Sequence, residues 1–240
     1  MTYFNKPFNT EEQPIEKDRY RLLWAALCPY AHRAVIARKL LGLDKVISLG
    51  TLDYRRGEDG WQFSLDPDGV DPILKKPTIK SVYNYSEPNY EGPYSVPALV
   101  DLKTEKIVRK ESAEILHEFA TVFKPLHKEG AIDLYPETLA KQIDEWNEKL
   151  AIAVNDGVYG MGFAKTQDEY DLAFNRFFDA LDEVEERLSN QRYINGNSIT
   201  ETDIRFYTTM IRFDVVYCGM YGANKKRIED YPNIFNYLTD

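Results

Sequence analysis

Two mostly apolar runs, YRLLWAAL at residues 20–27 and KVISLGTL at residues 45–52, flank a helix-forming stretch over residues 29–41. Strand, helix and strand within about 30 residues read as a βαβ unit, with the two strands paired in parallel and the helix as crossover. Pro29 suits the first turn of that helix, where an amide hydrogen would have no intrahelical partner, and Gly42 is a fitting stop. A chain that opens this way must go on to complete a small α/β sheet.

From Asp53 to Tyr94 the sequence is polar, aromatic and rich in Gly and Pro, with little periodicity. A segment of that length is either functional or holds short helices without a readable period. Order returns at YSVPALVD (94–101), followed by the turn LKTE and the strand KIVRK (106–110), close enough for an antiparallel hairpin. ESAEILHEF (111–119) then reads as a helix, with Glu111 and Ser112 in its first turn. The order βαβ, then ββα, predicts a small α/β domain ending near residue 120.

The second half changes character. Leu139, Ile143, Trp146 and Leu150 recur at helical spacing, and Tyr170, Phe174, Phe177, Leu181, Val184 and Leu188 form a long amphipathic stripe. Such a stripe is core material. A further helix starts at ITETDIRFY (199–207), where Thr200 can cap, Asp203 can return the bond, and Ile199 can staple to Ile204. The predicted class is therefore α/β plus all-α, divided into residues 1–124, which include an N-terminal extension, and an all-helical domain over residues 125–240.

Composition narrows the chemistry. With 240 residues, 43% hydrophobic and 29% charged, the chain has the makings of one or two soluble domains. A net charge of −9 argues against nucleic acid or an anionic membrane as partner. Cys28 and Cys218 are too far apart to suggest a CxxC pair or a disulfide framework. His32, His117 and His127 do not combine with them at metal-ligand spacing, so no metal is expected. The polar, acidic N-terminus is unlike a signal peptide, and no apolar run reaches the roughly 18 residues of a membrane span. The expected location is the cytoplasm, where a thiol stays reduced. The 17 tyrosines serve either a half-polar pocket or an amphipathic core.

The cysteine in LCPYAHRAVIARKL is the candidate reaction centre. A thiol at a helix start faces unpaired N–H groups and the positive end of the macrodipole. Both favour the thiolate, the nucleophilic form, and lower a pKa that otherwise lies near about 8.5. With no resolving cysteine nearby, a catalytic cycle would need an external thiol. The alternative is that Cys28 fills the core, as buried free cysteines do. His32, one turn on, can pair with the thiol or simply pack, and Cys218 in FDVVYCGMY reads as structural. Pro97 in YSVPALVD marks a sheet edge or a cis turn; a cis bond would leave the Val96 N–H and C=O free to hold a peptide-like ligand as an added strand. Glu111 and Ser112 open a helix that either binds a carboxylate at its N-terminus or is merely capped by the acidic residue.

Taken together these features resemble the glutathione transferase family, whose members join a thioredoxin-like N-terminal domain to a helical bundle. At a finer level the chain is similar to the glutathionyl-hydroquinone reductases, the Xi class. The resemblance is carried in order by CPYAHRAVIARKLLGL, DGW (59–61), EPNYEGPYSVPALVDLKTEKIVRKESAEI, NDGVYGMGFAKTQDEYDLA, RYINGNSITETDIRFYTTMIRFDVVY and RIEDYPNIFNYL, and spans roughly residues 18–238. It implies Cys28 as the catalytic thiolate and Trp61 lying against glutathione. It implies Val96, before Pro97, pairing with the cysteinyl backbone, and Glu111 and Ser112 holding the γ-glutamyl end. Tyr159 and Tyr217 would line an electrophile pocket and hydrogen-bond a phenolic oxygen.

Glutathione would be the co-substrate and a glutathionylated aromatic small molecule the substrate, deglutathionylated through a Cys28 mixed disulfide by a homodimeric enzyme. The alternatives are an Omega-like thioltransferase or dehydroascorbate reductase, which also uses Cys-Pro, and a non-catalytic binding module on the same fold. The sequence departs from the family pattern at Tyr30, where tryptophan is usual, at Pro93 and Tyr94, where an Arg-Val pair is usual, and at Val100, where tryptophan is usual. It also stops at Asp240, short of the tail that usually carries a third pocket tyrosine. These departures bear on the substrate more than on the fold or the thiol.

Overall fold

A computed structural model describes residues 3–239. The chain divides into two compact units, residues 1–132 and 133–240.

The first unit is built on β1 (Tyr20–Ala25), α1 (Pro29–Leu40) and β2 (Ile47–Leu52), with β1 and β2 parallel in the register Tyr20↔Ile47 to Ala25↔Leu52. The predicted βαβ unit is thus present. β1 lies inside the sheet, so its run is almost continuously buried rather than alternating. Gly42 ends α1 in a left-handed conformation at φ 76°, and a β-carbon there would meet the Lys128 side chain at 2.5 Å, so no other residue fits easily.

The segment after β2 holds β3 (Arg56–Gly57) and β4 (Gly60–Trp61), paired as a short antiparallel ribbon, and then α2 (Ile79–Ser86), opened by a Thr78–Ser81 capping box. Of the two readings for this stretch, short elements without a readable period are what it contains. A buried ion pair anchors it to the sheet. Arg21 on β1 donates to Asp71 Oδ2 from Nη2 at 2.6 Å and from Nε at 3.0 Å. The other carboxylate oxygen accepts from the Ile73 and Leu74 amides.

The sheet is completed by β5 (Ala98–Asp101) and β6 (Lys106–Arg109), antiparallel to each other, in the order β2-β1-β5-β6. β5 starts at Ala98 rather than Tyr94, because Pro97 has no N–H to give the ladder. α3 (Ser112–Ala120) follows and packs beside α1. Arg109 ties down the N-terminal extension: it donates to the Phe4 and Lys6 carbonyls at 2.7 and 2.8 Å and holds the Glu118 carboxylate at 2.7 Å. This mixed sheet with flanking helices is the thioredoxin-like arrangement that the resemblance implies.

The second unit is helical. α4 (Ala140–Leu150) runs into a π-helical turn, residues 151–155, and then α5 (Gly157–Gly162). α6 (Gln167–Leu188) carries the predicted stripe, with Phe177, Leu181, Val184 and Leu188 buried and Tyr170 and Phe174 packed at its margin. α7 (Glu201–Met210) leads to a second π-helical turn, residues 213–217, which continues into α8 (Cys218–Met220); α9 (Pro232–Thr239) closes the unit. The core centres on Phe177 stacked on Phe213 at 5.3 Å, with Phe178, Leu181 and Phe206 around them.

The α7 cap joins distant parts of this unit. Asp203, 1% exposed, accepts from the Thr200 amide at 2.8 Å and hydroxyl at 2.9 Å through one oxygen. Through the other it accepts from the Ile194 amide at 2.9 Å and the Tyr237 hydroxyl at 3.1 Å. Burial pushes this carboxyl's pKa up, and the four donors oppose that shift. Deleting the carboxylate strands buried donors as well as a cap. Asp203→Ala is expected to lower unfolding stability by about 3 kcal/mol, read from urea denaturation followed by circular dichroism; a loss no larger than that of an ordinary surface substitution would show the cap to be incidental.

Candidate active site

The sheet register brings four separated segments to one end of the first unit. Cys28 follows β1, whose last residue Ala25 stands opposite Leu52 at the end of β2. Beyond β2, the Asp53 amide donates to the Gln62 carbonyl at 2.7 Å, which holds the Trp61 ribbon close to that same end. β5 is antiparallel to β1 with Leu23 opposite Ala98, so Val96 and Pro97 enter where β1 leaves. β6 returns antiparallel to β5 with Arg109 opposite Leu99, so Glu111 and Ser112 emerge there as well. Ligands of open α/β sheets gather where the parallel strands end.

Cys28 is the N-cap residue of α1, with extended backbone, and is half-buried. Its Sγ accepts from the Ala31 amide at 3.4 Å and donates, as the thiol, to the Val96 carbonyl at 3.5 Å. The two contacts pull oppositely: the amide and the helix dipole stabilise a thiolate, while the carbonyl stabilises the S–H. The Val96–Pro97 peptide is cis. Trp61, 7% exposed, and Val96, 5% exposed, belong to the apolar cluster against which Cys28 packs. The His32 ring stands 6.0 Å from that of Trp24.

Glu111 is the N-cap residue of α3 rather than a member of its first turn, and its side chain makes no capping hydrogen bond. It is exposed and pairs with Lys110 at 3.1 Å. Burial acts to lower the Lys110 pKa, but its interactions with Glu111 and Tyr90 together outweigh that and the net shift is upward. Ser112, the first residue of α3, is buried, and its hydroxyl accepts from Arg33 Nη1 at 3.4 Å. The start of this helix therefore brings together a hydroxyl that accepts from a guanidinium and an exposed carboxylate paired with Lys110.

Tyr159 and Tyr217 meet in the second unit. Their hydroxyls are 3.3 Å apart and their rings 5.8 Å apart. Each stands just beyond or at the end of a π-helical turn, a feature common at functional sites because the wider turn rotates the residues that follow it. Two further rings join them: Tyr221, 5.7 Å from each, and the exposed Phe163, 5.7 Å from Tyr221. Gly162 is required here, since a β-carbon would lie 2.5 Å from the Tyr221 ring. Sequence reading missed Tyr221, Phe163 and Arg33. For the first two a signal existed, because Tyr159–Phe163 and Tyr217–Tyr221 are both aromatic pairs at helical i,i+4 spacing. Among the described residues, no group of His, Cys, Asp or Glu is arranged to hold a metal ion, and no helix is long and apolar enough to cross a membrane.

Comparison with known proteins bears on both units. Residues 27–122 match the glutathione S-transferase N-terminal domain, and residues 167–240 match the glutathione S-transferase C-terminal domain. The chain is 41% identical to the glutathionyl-hydroquinone reductase YqjG of Escherichia coli over 94% of its own length and 69% of that protein's. It is 39% identical to the glutathione S-transferase omega-like 2 of Schizosaccharomyces pombe, covering 93% and 74% of the two chains. Among solved structures, the glutathione S-transferase Xi from Phanerochaete chrysosporium superposes with a TM-score of 0.93 at 38% identity, over 99% of this chain and 82% of that one. The glutathione-bound structure of Escherichia coli YqjG does so with a TM-score of 0.87 at 41% identity, over 93% and 73%. The chain therefore belongs to the glutathione transferase family, and within it stands beside the glutathionyl-hydroquinone reductases and the Xi-class transferases.

Proposed function

We propose that the protein is a glutathione-dependent reductase that removes glutathione from glutathionyl-hydroquinones through a mixed disulfide at Cys28. The observation that carries this reading is the half-buried Cys28 at the α1 N-cap, accepting from the Ala31 amide at 3.4 Å. The Cys28 thiolate attacks the glutathionyl sulfur, the bond from that sulfur to the aromatic carbon breaks, and the carbon takes a proton as hydroquinone is released. Cys28 is left disulfide-bonded to glutathione. A second glutathione thiolate attacks that disulfide, so that oxidised glutathione leaves and the Cys28 thiolate returns. Overall the aromatic ring is reduced and two glutathione thiols' worth of sulfur is oxidised to one disulfide.

In this reading glutathione lies along the Val96–Pro97 edge, beside Trp61, with its γ-glutamyl end at Glu111 and Ser112. The cysteinyl N–H of glutathione takes the Val96 carbonyl and thereby removes the acceptor that favours the Cys28 thiol. Binding and ionisation are then coupled: the ligand frees the thiolate that attacks it. Tyr159 and Tyr217 donate to the phenolic oxygen as negative charge develops on the departing hydroquinone, which is where such donors act most strongly. The relatives support glutathione as co-substrate, since Escherichia coli YqjG was solved with glutathione bound. The relative named omega-like supports a second reading, a thioltransferase or dehydroascorbate reductase using the same thiol. Parallel assays on a glutathionyl-hydroquinone and on dehydroascorbate separate the two.

Three measurements test the proposal. The rate of Cys28 alkylation against pH should give a midpoint below that of a free thiol; a midpoint at or above it removes the basis for the nucleophile. Cys28→Ser should abolish deglutathionylation, because a serine oxygen cannot form or resolve the mixed disulfide, while ordinary conjugation persists or rises. Retained reductase activity would place the chemistry elsewhere. Tyr159→Phe and Tyr217→Phe should each lower kcat several-fold with less change in KM, whereas an unchanged kcat would make the tyrosine pair a packing feature.

A further inference from the structure

Arg33 is a charged side chain almost wholly out of solvent, 4% exposed, on the helix that Cys28 caps. Its Nη1 donates to the Ser112 hydroxyl oxygen at 3.4 Å, and its guanidinium carbon lies 4.6 Å from the centre of the Tyr30 ring. Burying a guanidinium is costly, so its placement at the junction of α1 and α3 calls for an explanation. The direction of the hydrogen bond supplies one. A guanidinium can only donate, so the Ser112 oxygen is the acceptor and its own O–H is left to donate. A hydroxyl that already accepts from a cation is a stronger donor, because hydrogen bonds in series polarise one another. Stacking on Tyr30 holds the guanidinium plane and with it the side on which that hydroxyl proton points. Beside the amides at the start of α3, such a donor suits a carboxylate.

We propose that Arg33 is a positioning residue for glutathione recognition: it ties the helix bearing the thiol to the start of α3 and polarises Ser112 toward the γ-glutamyl carboxylate. The inference rests on the reading of Ser112 given above, and it concerns one arm of the tripeptide rather than the chemistry at sulfur.

The test uses the full chain and two symmetrical disulfides, oxidised glutathione and oxidised cysteinylglycine, which differ only in the γ-glutamyl arm. With either, the Cys28 thiolate attacks one sulfur, the S–S bond breaks and one thiolate leaves, so mixed-disulfide formation can be timed by mass spectrometry. Arg33→Gln should slow the reaction with oxidised glutathione about tenfold and leave that with oxidised cysteinylglycine within about twofold of the unmodified protein. Arg33→Lys, which keeps a cationic donor without the fork, should recover part of the loss. In a Ser112→Ala background, Arg33→Gln should cost nothing further. Equal slowing with both disulfides, no slowing, or full additivity in the double variant overturns the inference. Ser112→Ala tells the failures apart. If it slows only the glutathione reaction while Arg33→Gln does not, the role of Arg33 alone is overturned. If it reacts normally with both disulfides, the reading of the glutathione site falls with it.

Discussion

The pairing of β1 with β2 on one side and with β5 on the other sets the position of everything else in the first unit. Because one pairing is parallel and the other antiparallel, the chain leaves β1 and β2 and enters β5 at a single end. The hairpin to β6 then brings the start of α3 back to it. Side chains alternate along a strand, so a register slip of one residue would turn the buried set of β1 outward and carry Cys28 away from Val96. The site residues of this unit are scattered in sequence from Cys28 to Ser112, and the chain passes through a cis peptide at Val96–Pro97 among them.

The irregular parts of the chain are held by buried charge rather than by apolar packing alone. Arg21 and Asp71 fasten the long segment after β2, and Arg109 with Glu118 fastens the N-terminal extension. Buried pairs of this kind add little net stability over apolar residues of similar shape, but breaking one is expensive because the survivor is left unmatched. They act as locks on conformation. The buried Asp203 does the same in the helical unit, joining the residue 194 turn, the α7 start and α9 through four hydrogen bonds.

Much of this was legible in the sequence. The βαβ unit, the β5–β6 hairpin, the α6 stripe and the Thr200–Asp203 cap each rest on local periodicity or local hydrogen-bonding chemistry. What escaped lacks such a signature. α2 and the β3–β4 ribbon are too short to show a period, and Asp71, in the loop between them, is held by a partner, Arg21, that lies far away in sequence. The π-helical turns before Tyr159 and ending at Tyr217 carry no repeat of their own, since a single wide turn is imposed by packing. The hydrogen bond between Arg33 and Ser112 is long-range, and neither residue type announces it. At Glu111 the reading of acidic capping gave way to an exposed carboxylate paired with Lys110.

The two cysteines differ in a way that reaches beyond catalysis. Cys28 is half-buried at a helix start, and Cys218 is buried directly after Tyr217, one in each compact unit. A thiol reagent meets them under different kinetic regimes: the first according to its ionisation, the second only when the helices around it part. The native chain thus holds two internal clocks. The fast one reads the chemistry of the sheet unit, and the slow one reads the opening free energy of the helical unit, without any label having to be introduced.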